Sequence, residues 1–183
     1  MVVALVDGEE VGLLGSRGLT QQLSSPAGLD VGDGQAPLHI ADLKAVINLD
    51  ASSARASDAQ GPVRSAAGRD APLFSWRAMV FSEEPVLPAA FVTTFAAHKV
   101  MGLPLQSQGA VAVEGGWRTD AQWFHQAGVP VVWPVAGYPE YHTDGDTLAA
   151  VDPADLENIA AAAADLAGQL ATLPVGPVAP QFR

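Results

Sequence analysis

The chain has 183 residues, 49% of them hydrophobic and 16% charged. That is enough apolar material to fill the core of one domain, and too much for a chain that stays disordered. Nine basic against twenty acidic residues leave a net charge of −11, which argues against nucleic acid, whose phosphates need a basic face. With no cysteine in the chain, disulfides, thiolate metal sites and a cysteine nucleophile are excluded, so any metal must be held by His, Asp and Glu.

In chain order, Val2–Val6 is a continuous apolar run that predicts a strand buried on both faces. It meets Asp7 too soon for a signal peptide or a membrane span. Glu9–Leu23 predicts a helix, with Glu9 and Glu10 at its positive end. Ser24–Pro37 is rich in Ser, Gly, Asp and Pro and reads as loop. Lys44–Leu49 is a second strand of the buried type, closed by Asp50, and Ala54–Pro72 is a small, polar excursion. Arg77–Phe81 predicts a third strand, and Ala89–Met101 a helix with Phe91, Phe95 and Val100 as its apolar stripe. Leu105–Gly116 holds a short strand and a loop, Ala121–Ala127 a short helix, and Gly128–Trp133 the entry to another strand. After a polar loop, Tyr138–Thr147, Asp152 as N-cap and Pro153 in the first turn open a last helix to about Leu173. The Ala-rich part of that helix is broken by Asp165, so it reads as a soluble helix. Residues 1–173 are expected to form one domain, and 174–183 a flexible Pro-rich tail. Strands alternating with helices predict an α/β sandwich, whose ligand crevice lies beyond the carboxyl ends of the strands.

Three acidic or histidine features fall at such strand ends. Adjacent carboxylates at Glu9 and Glu10 are either helix-start charges or a division of labour, one binding a metal and the other moving a proton. Asp50 is either a turn-former or a metal ligand aimed by the strand before it. His142 sits among Glu140, Tyr141, Asp144 and Asp146, where carboxylates can orient its ring and a phenol can reach an oxyanion. His39, His98 and His125 have no such setting, and Trp117, Trp123 and Trp133 line a pocket or pack the core. Ser16 lacks the G-x-S-x-G pattern of a nucleophile elbow and lies within a helix, so it is set aside.

The segments DGEEVGLLGSRGL (Asp7–Leu19), NLD (Asn48–Asp50), RTDAQWFHQAGVPVV (Arg118–Val132), YHTDGDT (Tyr141–Thr147) and the VDPADL helix, in this order, resemble the zinc aminopeptidase family numbered 28 among metallopeptidases. That family takes in secreted bacterial aminopeptidases, glutamate carboxypeptidase II and the related glutaminyl cyclases. The resemblance covers nearly the whole chain and is weakest over residues 54–116. It implies a three-layer αβα sandwich with a mixed, mostly parallel sheet, lacking the family's first strands. It also implies a two-zinc exopeptidase site, in an aminopeptidase above all, with Glu9 as general base and Glu10 and His142 on one zinc. Asp50 falls to the other zinc, Tyr141 is an oxyanion donor, and Asp120 and Asp146 are supporting or pocket groups. Two departures stand out. Ala121 follows Asp120 where the family usually has His, and no His precedes Glu9 to match the family's upstream ligands. The resemblance thus leaves a partial ligand set, weak zinc binding, and two rival readings: a non-catalytic remnant or interaction module of the same fold, and a glutaminyl cyclase-like acyltransferase. The partners expected are a peptide substrate and, for the remnant, a complementing N-terminal segment or a second copy, with no nucleic acid and no membrane span. Localisation follows the resemblance alone, to an exported or periplasmic protein.

Overall fold

The strands observed are β1 (Val46–Ile47), β2 (Val63–Arg64), β3 (Asp70–Ala71), β4 (Trp76–Phe81), β5 (Leu103–Gln106) and β6 (Val131–Gly137). They belong to a computed structural model that describes residues 1–32, 34–53, 63–64, 70–71, 76–106, 119–137 and 144–178. Among these residues β1, β6, β4 and β5 lie side by side in that order, while β2 and β3 form a separate antiparallel pair. The sheet is mixed: β1 runs parallel to β6, β4 antiparallel to β6, and β5 parallel to β4.

Strand alternation divides the core into two. On one face Met79 of β4 and Val132 of β6 meet Leu87, Phe91 and Phe95 of α2 (Leu87–Ala97), and Ile159, Ala162, Leu166 and Leu170 of the C-terminal helix (Pro153–Leu170). On the other face Ala78, Val80 and Val131 meet Leu23 of α1 (Leu14–Leu23), and Ala121 and Phe124 of α3 (Ala121–Gln126). With the C-terminal helix named α4, this is a helix–sheet–helix sandwich, α2 and α4 on one side and α1 and α3 on the other. Of the predicted stripe, Phe91 and Phe95 are buried on α2, their rings meeting edge to face with centroids 4.8 Å apart, while the helix ends at Ala97 and Val100 is buried beyond it. No helix among the described residues is long and apolar enough to cross a membrane.

Helix ends follow their side chains. Asp152 Oδ1 accepts from the amides of Ala154 (3.0 Å) and Asp155 (3.3 Å), and Pro153 enters the first turn, as expected for α4. At α2, Glu84 does the same work from further upstream, its Oε2 accepting from Val86 (2.7 Å) and Leu87 (2.5 Å). Pro104 sits in β5, at the edge of the sheet, where a strand tolerates a missing amide donor.

Two expectations are corrected. Val2–Val6 forms no strand; Val2 is 56%, Val3 76% and Leu5 97% exposed, because the segment lies outside the sheet and no described strand pairs with it. A β-rich apolar run becomes a strand only where a neighbour takes up its backbone groups. The first helix begins at Leu14 instead of Glu9, so its first turn holds no acidic residue. After the last helix, Gly176 donates to Glu84 Oε1 (3.4 Å), Val178 donates to the Gly128 carbonyl (3.0 Å), and the Val178 side chain is buried.

Because Phe91 is fully buried between α4 and the sheet, Phe91→Ala is expected to lower unfolding stability by about 3–5 kcal/mol. Leu148→Ala, at a side chain 90% exposed, is expected to stay within about 0.5 kcal/mol of the parent. Urea denaturation of the two variants beside the parent checks both values.

Candidate functional site

Because β1 and β6 run parallel, both leave the sheet at the same edge, and Asp50 stands there on the loop that follows β1. Pro134 lies just past the last β1 pairing, Ile47 with Val132, so its missing amide coincides with the point where β1 gives way to the loop. Two residues on, Ala136 donates instead to the carbonyl of Ala51 at 2.7 Å. Ala51 has φ 45°, a left-handed conformation that costs a non-glycine residue and persists only where its surroundings enforce it.

Those surroundings come from β4, β6 and α4 and from Thr119 just before α3. Trp133 Nε1 donates to the Asp50 carbonyl at 2.7 Å, and Ser52 Oγ to the same oxygen at 3.2 Å. The Arg77 guanidinium on β4 donates to the Ser52 carbonyl through Nε (3.3 Å) and Nη2 (3.1 Å), while Nη2 also pairs with the Asp155 carboxylate on α4. Ser53 Oγ donates to the Asp152 carbonyl at 3.2 Å. The Asp50 carboxylate itself accepts from Thr119 Oγ1 at 2.7 Å, and Thr119 in turn accepts from Asn48 Nδ2 at 2.7 Å. Direction is forced: an amide NH₂ only donates, so the single hydroxyl proton of Thr119 goes to the carboxylate. Thr119 is completely buried and Asn48 nearly so.

Glu9 and Glu10 stand in the turn before α1. The Glu9 carbonyl accepts from Gly12 (3.1 Å) and Leu13 (2.9 Å), and the Asp7 carbonyl accepts from Gly15 (3.0 Å). Two glycines are required there. Gly12 adopts φ 110°, and a Cβ on Gly15 would lie 2.5 Å from the Asp7 carbonyl oxygen. With the helix starting at Leu14, the helix-start reading of the paired carboxylates loses its support. Glu9 is half-buried and Glu10 exposed.

Among the other predicted site residues, Asp120 is at the N-cap position of α3 but makes no side-chain cap bond, and its Oδ1 is buried with no hydrogen-bond partner among the described residues. Asp146 is exposed on its loop. Tyr141 and His142 lie outside the described residues, as does Trp117. Among the described residues no three His, Asp or Glu side chains come together to hold a metal ion. What the structure does supply toward one is the Asp50 carboxylate, a hard oxygen donor held by a buried hydroxyl, as metal-ligating carboxylates generally are. Asp50 therefore has the chemistry of an oxygen ligand, while His142, expected with Glu10 on the other zinc, lies outside the described residues.

The other histidines have structural work. His125 is buried, its Nδ1 3.0 Å from Ser82 Oγ, which also accepts from the Val131 amide at 2.8 Å and so joins α3, β4 and β6. His98 Nε2 lies 2.6 Å from Asp165, linking α2 to α4, and the His39 amide donates to Asp42 at 2.8 Å. Ser16 is buried with its hydroxyl donating to the Leu13 carbonyl at 3.1 Å, which leaves it no role as a nucleophile. Residues that the sequence reading missed are Asn48, Arg77 and Thr119. Asn48 carried a signal, since it stands two residues before Asp50 and so on the same face of a strand. Arg77 and Thr119 carried none, being 27 and 69 residues away from Asp50 in the chain.

The model of peptidase family M28 matches residues 1–167. Among solved structures, an aminopeptidase from Aneurinibacillus sp. strain AM-1 superposes with a TM-score of 0.57 at 18% identity, over 97% of this chain and 34% of that one. The LapA aminopeptidase of Legionella pneumophila superposes with a TM-score of 0.55 at 17% identity, over 92% of this chain and 38% of that one. This chain thus spans little more than a third of the length of either, and at these identities the likeness is one of fold. Comparison with curated proteins finds no match.

Arg77→Met removes the donors that hold the Ser52 carbonyl and leaves Asp155 without its cation. It is expected to cost about 1–3 kcal/mol of stability and to speed hydrogen exchange of the Ala136 amide, which is bonded into the same loop. Chemical denaturation and hydrogen-exchange mass spectrometry over the 131–137 strand read the two effects.

Proposed function

Since the chain belongs to peptidase family M28, we propose that it carries the chemistry of a metal-dependent exopeptidase, in the first place an aminopeptidase that hydrolyses N-terminal peptide bonds. The observation that carries this reading is the Asp50 carboxylate, set at the sheet edge by a buried hydroxyl on a loop that β4, β6 and α4 hold with Ala51 in a left-handed conformation. Such an outlay of buried polar contacts for one surface-facing acid is the usual support of a ligating group. The solved structures of the same fold are both described as aminopeptidases, which supports that choice of exopeptidase.

Glu10, Asp50 and His142 are the residues of this chain that would hold zinc. Zinc, when bound, supplies Lewis acidity that polarises the scissile carbonyl. Glu9 acts as general base, drawing the proton from the attacking water and then passing it to the leaving amine. Its place in the turn before α1 suits that work, because the turn is pinned through the Glu9 carbonyl and through Gly15 against Asp7 while the side chain remains half-buried. Tyr141 supplies a phenolic donor for the negative charge that develops on the carbonyl oxygen.

Glu9→Gln keeps the shape of the side chain and removes its basicity. Hydrolysis of aminoacyl p-nitroanilides in the presence of zinc is expected to fall by about 10²–10⁴-fold, with zinc content and melting temperature unchanged. A variant as active as the parent, or a parent that hydrolyses no such substrate, overturns this reading.

A further inference from the structure

We propose that the outer edge of β1 is a docking site for a second copy of this chain, which lays its Val2–Val6 segment along that edge as an added strand. Among the described residues β1 ends the sheet on its side and is bonded to β6 alone. The Val46 amide donates to the Pro130 carbonyl (2.8 Å) and the Asn48 amide to the Val132 carbonyl (2.9 Å). By alternation the backbone groups of Ala45, Ile47 and Leu49 point the other way, off the sheet. Natural sheets blunt such edges with proline or charge. The opposite edge has that protection in Pro104 of β5, whereas Ala45–Leu49 holds neither. Lys44, just before it, is turned to the end of α4, its Nζ donating to the carbonyls of Ala171 (3.0 Å) and Leu173 (3.3 Å). Apolar side chains along the edge are incompletely covered, with Ala45, Val46 and Ile47 half-buried and Leu49 exposed.

Val2–Val6 is the segment that answers this edge. It is uncharged and of strand composition, no described strand pairs with it, and Leu5 is almost fully exposed. Its base is fixed. The Gly15 amide donates to the Asp7 carbonyl at 3.0 Å, and a Cβ on Gly15 would lie 3.0 Å from the Val6 Cβ, so the start of α1 lies directly against Asp7 and Val6. The residues before Val6 therefore leave α1 as an exposed arm on a held root. Extended at about 3.3 Å per residue, the arm matches Ala45–Leu49 in length, each being five residues. Arm and edge are each unsatisfied within one chain, and reciprocal exchange about a two-fold axis satisfies both pairs at once and closes at a dimer. Charge selects the same contact. Each copy carries −11, so most of its surface repels a like surface, and these two uncharged segments are where copies can meet.

The test runs sedimentation velocity on the full chain from low micromolar to submillimolar concentration, with hydrogen exchange at both ends of that range. Monomer is expected to pass to dimer as concentration rises, with the amides of Val2–Val6 and Ala45–Leu49 gaining protection together. Neighbours on a strand face opposite sides, so Val3→Lys combined with Ala4→Lys puts a charge on each face of the arm. The double variant lowers the net negative charge and would favour association through any other contact. Here it is expected to raise the dissociation constant about tenfold or more, with the melting temperature of the monomer unchanged because both positions are exposed. Leu103→Lys, on the β5 edge, is expected to stay within about threefold of the parent. A parent that remains monomeric over the whole range overturns the docking site. So does a dimer in which Ala45–Leu49 gains no protection, since the arm would then lie elsewhere. A monomer with both segments protected means that the arm adds to its own chain, and overturns the exchange. Equal association in the double variant and the parent, or an equal loss in Leu103→Lys, overturns it as well.

Discussion

Strand β6 takes one neighbour parallel and the other antiparallel, and most of the molecule is arranged around that pairing. Its residues alternate between two apolar layers, Val132 toward α2 and α4 and Val131 toward α1 and α3, so the strand is covered on both faces and paired on both sides. Moving its register by a single residue would send each side chain into the opposite layer, and both cores would have to repack at once. This is why a strand that contains a proline holds a central place. Pro134 falls where β1 has already turned away, so the sheet loses no hydrogen bond there.

The turning away of β1 is also what makes the candidate site. An edge at which a strand ends early leaves carbonyls and amides that must be satisfied by other means. Here Ala136 reaches Ala51, Trp133 reaches Asp50 and Arg77 reaches Ser52, each from the sheet itself. Because these partners are rigid, the loop can hold Ala51 in a left-handed conformation and present Asp50 at a constant place. The pairing of Arg77 with Asp155 extends the same hold to α4, whose N-terminus is capped by Asp152 and bonded to Ser53. Asp50 at this edge is thus held by both the sheet and a helix, and side chains set on such rigid elements are placed more precisely than those on free loops.

Helix periodicity, capping and buried-strand composition were legible in the chain. The α2 stripe, the Asp152–Pro153 start of α4, the short helix after Asp120 and the strands around Val46, Met79 and Val131 were all read from local pattern. Their burial is what that pattern encodes. Two local signals misled. Val2–Val6 has the composition of an inner strand but no described partner, and composition carries no information on whether a partner is present. Glu9 and Glu10 resemble the acidic opening of a helix, yet Gly12 and the close approach of Gly15 to Asp7 hold a turn there and delay the helix to Leu14.

The sequence by itself determined the membership in peptidase family M28, the two-sided α/β sandwich and the places of the motif acids along the chain, because these depend on periodicity, on motif residues and on their order. Which of those acids is held ready was decided by tertiary structure. Thr119, Trp133 and Arg77 are brought to Asp50 and its loop from three separate stretches of chain. Contacts between residues so far apart in sequence follow from strand order and register. Those in turn are settled by the joint packing of the two apolar layers, which no local pattern records.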